Sequence, residues 1–384
     1  MNGRQLKSLP KKSKKLRIYP NKEQEETFKK WMRHSRYVYN RCVADVRENG
    51  NEQPNKGVLR DKFVTYKSRK GLLNPNIEEW ERELDVPKGP RDGAVRDLQK
   101  AYKTAFSNLK NNNISKFKIG FRSKKNGFQS IVIPKNSVTI INHRKVQIFP
   151  DRNLGLVKVT KRDKKKIGHP SHDCRLKVDK DGNWFLIVPQ DYRNKEYDGS
   201  RGKCALDPGS RKFQTIYSQK EVTKCETNKE LVGRLRKKIA RMQTERKRNK
   251  CIRKYWRKHN KLVDDHQKKL ANYLASNYSE IYLPRFESQK LMKIMNRTSR
   301  FNILSLQHYA FKEHLRFKCS ELGSKLTVCT EEFTSKTCTR CGVLNNKLGS
   351  SEVFKCISCN LKIDRDVNGA RNIYVKCESG NISY

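Results

Sequence analysis

Cys338-Thr-Arg-Cys341, a gap of fourteen residues, Cys356-Ile-Ser-Cys359, and then Asp364-Arg365-Asp366-Val367-Asn368-Gly369-Ala370: this stretch decides how the rest of the chain reads. Two CxxC pairs at this spacing are the ligand set of a tetrahedral zinc ribbon. Each pair turns two thiolates toward one point, and the gap between them is long enough for a β-hairpin. Disulfides or scattered core cysteines are the competing explanation, and so regular a pairing rarely arises by chance. The ribbon alone predicts a stable knuckle. The aspartates that follow it predict a metal-dependent active site alongside.

The 384 residues suffice for roughly two or three domains. Lysine and arginine total 87 against 39 acidic residues, a net charge of +48. So large an excess repels itself in a compact fold unless a polyanion neutralises it. Nucleic acid is the expected partner, bound with a steep salt dependence. Charge alone does not imply an enzyme, since a structural RNA binder would also carry it. No apolar run approaches a membrane span and no secretory leader is visible, so neither a membrane partner nor secretion is expected. Eight further cysteines, Cys42, Cys174, Cys204, Cys225, Cys251, Cys319, Cys329 and Cys377, show no framework spacing, as suits free thiols in a reducing compartment.

Outward from the ribbon, the chain predicts a multidomain α+β protein. Residues 1–20 are a basic arm ending in one strand, Leu16-Arg17-Ile18-Tyr19-Pro20. The run Lys11-Lys12-Ser13-Lys14-Lys15 reads equally as a nuclear localisation signal or as a solvated basic flank. Asn21 caps a helix with apolar positions at Phe28, Trp31, Met32, Val38 and Tyr39, and a second helix is expected over 93–109. Short strands at 129–134, 137–141, 145–149, 156–160, 174–178 and 184–188, with Asp181-Gly182 as a hairpin turn, predict a small β-barrel over 126–195 joined by the strand at 14–20. From 203 the order becomes strands at 204–206, 214–218 and 221–225, a long helical stretch over 228–277, a strand at 280–283, a helix at 303–322, a strand at 325–330, the ribbon and a terminal helix. That is the order of an RNase H-type fold.

Hydrolysing a phosphodiester requires charge compensation and an activated water. Two Mg²⁺ ions about 4 Å apart supply both when carboxylates at the ends of adjacent strands hold them. Three carboxylates have suitable settings. Asp207 ends the apolar run Cys204-Ala205-Leu206 before a Pro208-Gly209 turn. Glu287 follows the strand Ile281-Tyr282-Leu283. Asp366 opens the last helix, with Asn368 and Asn372 on neighbouring positions. Each alone has an ordinary explanation as a turn aspartate, a loop glutamate or a helix cap. Asp364 competes with Asp366 as the ligand. The argument rests on the combination.

Between Arg234 and Lys258 lie thirteen lysines and arginines and one acidic residue, Glu245. Like charges at i,i+4 destabilise a free helix, so a solvated helix is the weaker explanation. A phosphate backbone is the stronger, with Arg234, Arg236, Lys237, Lys238, Arg241, Arg246, Lys247, Arg248, Arg253, Lys254 and Arg257 as candidate contacts.

Leu206-Asp207-Pro208-Gly209, the strand ending near Glu287, Thr334-Ser335-Lys336-Thr337-Cys338 with its knuckle, and the run from Asp364 to Ile373 together resemble the TnpB/Fanzor family of transposon-encoded RNA-guided DNA endonucleases. Arg17-Ile18-Tyr19-Pro20, Arg36-Tyr37-Val38-Tyr39-Asn40 and Phe117-Lys118 extend the resemblance to nearly the whole chain, more loosely between about 126 and 195. The resemblance implies a RuvC-type nuclease domain over 201–384 with the zinc ribbon inserted at 333–362. It also implies a helical recognition domain over 21–125 and a wedge β-barrel from 1–20 plus 126–200. It implies Asp207, Glu287 and Asp366 as the catalytic ligands of two Mg²⁺ ions, and structural Zn²⁺ on Cys338, Cys341, Cys356 and Cys359. The implied partners are a guide RNA from the chain's own element and a double-stranded DNA target beside a short motif, with the protein a monomer on its RNA. In the family's bacterial branch the middle glutamate stands where this chain has Pro284. The shifted Glu287 is more similar to the eukaryotic and viral Fanzor branch. The expected function is a Mg²⁺-dependent RNA-guided DNA endonuclease, nuclear if the host is eukaryotic. The alternatives are a catalytically weak or inactive nucleic-acid-binding regulator on the same fold and a transposase-associated, strand-joining factor.

Overall fold

The computed structural model describes residues 11–50, 53–68, 70–125, 129–142, 144–159, 168–192, 194–209, 212–226, 229–285, 296–330, 334–346, 349 and 351–379. Two compact units divide the chain between Tyr192 and Arg193.

In the first unit, β1 (Lys11–Tyr19) leads into α1 (Lys22–Glu48). Asn21 caps α1 as its sequence predicts: its side chain accepts the Gln24 N–H, and Gln24 returns a bond to the Asn21 N–H. Helices α2 (Lys56–Phe63) and α3 (Glu79–Glu83) lie within the stretch 21–125 expected to be helical, at positions where the apolar spacing predicts no individual helix. Helix α4 (Lys88–Lys110) begins five residues ahead of its expected start at Gly93. Gly89 and Pro90 lie ahead of the expected start, but proline is harmless in a first turn because its missing N–H has no intrahelical acceptor. The glycines serve close packing: a Cβ on Gly93 would come within 2.7 Å of the Val132 side chain.

Strands β2 (Gln129–Ile133), β3 (Val138–Asn142), β4 (Lys145–Ile148), β5 (Leu156–Val159), β6 (Cys174–Val178) and β7 (Trp184–Asp191) fall where alternation places them. With β1 they form a seven-stranded antiparallel sheet ordered β2-β6-β7-β1-β5-β4-β3. Every strand turns its alternate residues into one core around Phe28 and Trp31 of α1, as a barrel does. Among the described residues no ladder joins β2 to β3. The basic run at 11–15 is part of β1, paired with β7 from Asp191 to Ile187.

The second unit is built on five strands: β8 (Lys203–Pro208), β9 (Gln214–Ser218), β10 (Val222–Cys225), β11 (Glu280–Pro284) and β12 (Lys325–Cys329). Their order is β10-β9-β8-β11-β12, with β8, β11 and β12 parallel and β9 and β10 antiparallel to their neighbours. This is the RNase H-like sheet the element order predicts. On one face pack α6 (Asn249–Asn277) and α8 (His308–Leu322), through Leu270, Leu274, Phe311 and Leu315. On the other face α9 (Arg365–Glu378) packs Ile373 and Tyr374 against Ala205 and Tyr282.

Two expected helices are broken. The stretch over 228–277 divides into α5 (Lys229–Thr244) and α6, with Arg246 in the left-handed region at φ 48°. Arg246, Lys247, Arg248 and Lys250 crowd the break, and like charges one turn apart oppose a continuous helix. The helix expected over 303–322 starts earlier, as α7 (Arg297–Leu306), and breaks at Gln307, φ 55°. The fully buried Gln267 of α6 makes that break tolerable: its amide donates to the Leu306 carbonyl at 2.6 Å and the Gln307 carbonyl at 3.2 Å.

Candidate active site and metal centre

Side chains alternate across a strand, and Asp207 is the second residue after Ala205, whose side chain lies in the core beneath α9. Asp207 therefore faces α9 from the carboxyl end of β8, the central strand. The turn that follows needs glycine: a Cβ on Gly209 would stand 2.6 Å from the Lys212 carbonyl oxygen. Across from Asp207, α9 presents Gly369. A Cβ there would lie 2.9 Å from Asp207 Oδ2 and 3.5 Å from Ser335 Oγ. Asp366 is three residues before Gly369 and shares its helix face. Asp207 and the start of α9, far apart in sequence, thus lie on the same side of the sheet, with Gly369 as their point of contact. Hard oxygen donors at a strand end and a helix start are the residue types that suit a divalent cation.

Asp364 is already engaged. It caps α9, its Oδ1 accepting the N–H groups of Asp366 at 3.0 Å and Val367 at 3.3 Å. Its Oδ2 accepts Lys224 Nζ at 2.8 Å and Lys212 Nζ at 3.1 Å. Partial burial works against its charge, yet the hydrogen bonds from Lys224, Lys212 and the Val367 N–H hold its carboxyl down to about 2. Asp366 has a single ion-pair partner among the described residues, Lys212 at 3.3 Å, and its side chain is 37% exposed. Of the two, Asp366 is the one with an oxygen to offer.

Every residue of β11 is buried. Its parallel register with β8 pairs Glu280 with Lys203 and Tyr282 with Ala205. Carried two residues on, that register sets Pro284 level with Asp207, at the strand position where the sequence offers no carboxylate. Glu287, the expected third ligand, lies outside the described residues.

The four ribbon cysteines converge, their sulfurs all within 4.8 Å of one another. Cys338 Sγ is 3.6 Å from Cys359 Sγ, and Cys341 Sγ is 3.5 Å from Cys356 Sγ. A tetrahedron with Zn–S bonds of about 2.3 Å has edges of ~3.8 Å, so the thiols fit zinc. The Cys359 and Ser358 N–H groups donate to Cys356 Sγ and hold its thiol down to about 6, favouring the thiolate that binds metal. Gly342, at φ 77°, closes the first knuckle, and the hairpin of β13 (Val353–Lys355) and β14 (Lys362–Asp364) carries the second pair around. Phe354, fully buried, packs under the knuckles.

Asn368 and Asn372 do not turn to the carboxylates. The Asn368 amide donates to the Thr337 carbonyl at 2.7 Å and accepts the Thr339 N–H at 3.1 Å. Asn372 donates to the carbonyls of Thr334 at 2.8 Å and Thr337 at 2.7 Å. Both side chains clamp the first knuckle onto α9. Their i,i+4 spacing marks a shared helix face, but only the fold shows what that face meets. Lys212 and Gly369 escaped the sequence reading because their roles lie in contacts between distant segments.

Helices α5 and α6 form a hairpin. Arg234, Lys237, Lys238, Arg241, Arg246, Lys247, Arg248, Lys254 and Arg257 are exposed on it, and Arg253 is half-buried. Arg236 is turned inward, donating to Asn302 Oδ1 at 3.3 Å and Ser305 Oγ at 3.2 Å of α7, so it ties helices together.

Residues 308–373 match the Cas12f1-like TNB domain, and residues 11–53 match a helix-turn-helix domain model. A putative transposase of Paramecium bursaria Chlorella virus 1 is 31% identical, the alignment covering 95% of this chain and 86% of the relative. A TnpB-like protein of Acanthamoeba polyphaga mimivirus is 25% identical over 94% of this chain and 72% of its own length. A putative RNA-guided DNA endonuclease of Escherichia coli is 24% identical over 94% of this chain and 90% of its own length. With Asp207 at the carboxyl end of the central strand of an RNase H-like sheet, a four-cysteine ribbon clamped onto α9, and a relative 31% identical over 95% of this chain, the chain belongs to the TnpB-like family.

Proposed function

We propose that this chain is an RNA-guided, Mg²⁺-dependent DNA endonuclease that takes its guide RNA from its own mobile element and cuts matching DNA beside a short motif. The observation that carries this is the meeting of Asp207 with the Asp366 face of α9 at Gly369. The E. coli relative's name, a putative RNA-guided DNA endonuclease, supports the same activity. Asp207 and Asp366 hold the cations, and Glu287 supplies the third carboxylate from beyond β11, as in the Fanzor branch. Two bound Mg²⁺ ions would polarise the scissile phosphate and lower the pKa of the attacking water. The clamped knuckle fixes α9, and with it the position of Asp366. The exposed cations of α5 and α6 neutralise the backbone of the guide–target duplex, which base pairing selects. The protein acts as a monomer on its RNA, in the nucleus where the host has one. No described helix is long and apolar enough to cross a membrane.

The test is to purify the protein with transcripts of its flanking sequence and challenge the complex with Mg²⁺ and a plasmid library carrying the target beside random flanks. Cleavage enriched for one flank, and abolished by Asp207→Ala with RNA binding intact, is the expected result. One observation favours a second reading, a binder without cutting: the β8–β11 register, continued past Tyr282, brings proline and not a carboxylate to the level of Asp207. A discrete bound RNA and equal, negligible cleavage with and without Asp207 would establish it.

A further inference from the structure

Lys212 follows the Asp207-Pro208-Gly209 segment, and its carbonyl oxygen lies 2.6 Å from where a Cβ on Gly209 would stand. Its side chain is only 19% exposed, and its ammonium stands between two carboxylate oxygens, 3.1 Å from Asp364 Oδ2 and 3.3 Å from Asp366 Oδ2. The two partners are unequal. Asp364 is secured four times over, by Lys224, Lys212 and two backbone N–H groups. Asp366 has Lys212 as its one ion-pair partner among the described residues. Lys212 and Lys224 balance the charges of Asp364 and Asp366. A divalent ion coordinated by Asp366 would sit within a few ångströms of the Lys212 ammonium, where like charges repel strongly in a partly desolvated setting.

We propose that Lys212 is the resident counter-cation of Asp366: it orients that carboxylate while no metal is bound and must cede it to the divalent ion, so that it sets the metal concentration at which the site fills. This rests on the reading of Asp207 and Asp366 as metal ligands. Lys212 is a positioning residue here. Asp364 gives it somewhere to remain: once Asp366 turns to the metal, the ammonium keeps its bond to Asp364 Oδ2. Two consequences follow from the charge. Removing it tightens metal binding, because the competitor is gone. Keeping it in another form, as arginine, preserves the competition.

The experiment is a Mn²⁺ titration of the full, zinc-loaded chain without RNA, following the free aquo-ion signal by electron paramagnetic resonance. Mn²⁺ matches Mg²⁺ in charge and in its preference for oxygen ligands. Lys212→Met is expected to lower the Mn²⁺ dissociation constant on the order of tenfold, the scale of one unit charge removed at this range. Lys212→Arg should stay near the parent value. Lys224→Met, which frees only Asp364, should shift it less than Lys212→Met does. Asp366→Asn should remove the binding. An unchanged or weaker affinity in Lys212→Met, with Asp366→Asn still removing the binding, overturns the role of Lys212 and leaves the metal site standing. Indifference of the binding to Asp366→Asn overturns the metal site and Lys212's role together.

Discussion

A methyl group at position 369 would stand 2.9 Å from Asp207 Oδ2, closer than real Cβ contacts come. Either the carboxylate or the helix would have to move. Gly369→Ala raises helix propensity by roughly 0.5–1 kcal/mol, so the protein should stay folded while the site is displaced. A misplacement of about 1 Å can cost on the order of a hundredfold in rate. We expect Gly369→Ala to cut DNA ten- to a hundredfold more slowly with its melting temperature kept or raised. Unimpaired cutting would mean that Asp207 lies outside the chemistry. Asp364 carries a separate prediction. Its folded carboxyl titrates at about 2, below its ordinary 3.8, so its stabilisation is complete above pH 3.8 and disappears as pH falls through 2. Asp364→Asn should therefore lower the melting temperature at neutral pH, and the gap from the parent should close toward pH 2. A gap independent of pH would show that the carboxylate charge does nothing for the cap.

At the scale of elements, the strands were legible because alternation and flanking turn residues are local signals. The four-cysteine cluster was legible because ligand spacing is local too. Helix boundaries were not: Gly89 and Pro90 look like breakers until they are seen in the first turn of α4, and the kink at Gln307 is stabilised by Gln267 from another helix. The carboxylates were legible as candidates, but the approach of Asp207 to α9 at Gly369 depends on β8 and α9 packing face to face. The Asn368 clamp is likewise tertiary. Asn368 is fully buried, and replacing it with alanine leaves the Thr339 N–H without its acceptor. An unsatisfied buried group costs about 1–3 kcal/mol. Once the protein is loaded with zinc, Asn368→Ala should release it to a chelator faster than the parent does and slow cutting, without altering affinity for RNA. Identical zinc release would mean that the ribbon holds its own shape without α9.

For the whole molecule, the net charge of +48 makes ionic strength the first variable of any binding experiment. Lys237, Lys238 and Arg241 are exposed on α5, and replacing all three by glutamine should flatten the dependence of log K on log salt by about two to three units. A slope equal to the parent's would move the polyanion away from this hairpin. The join between ribbon and α9 has a further consequence, for how this chain can change over time. Asp364 ends β14 and caps α9, with no linker between them. A helix turns about 100° per residue. Because α9 is anchored on the sheet, gain or loss of one residue at the join would rotate the ribbon relative to α9 and break the Asn368 and Asn372 clamp. Length variation among descendants of this chain is therefore barred at residues 364–366 and must be absorbed elsewhere in the ribbon.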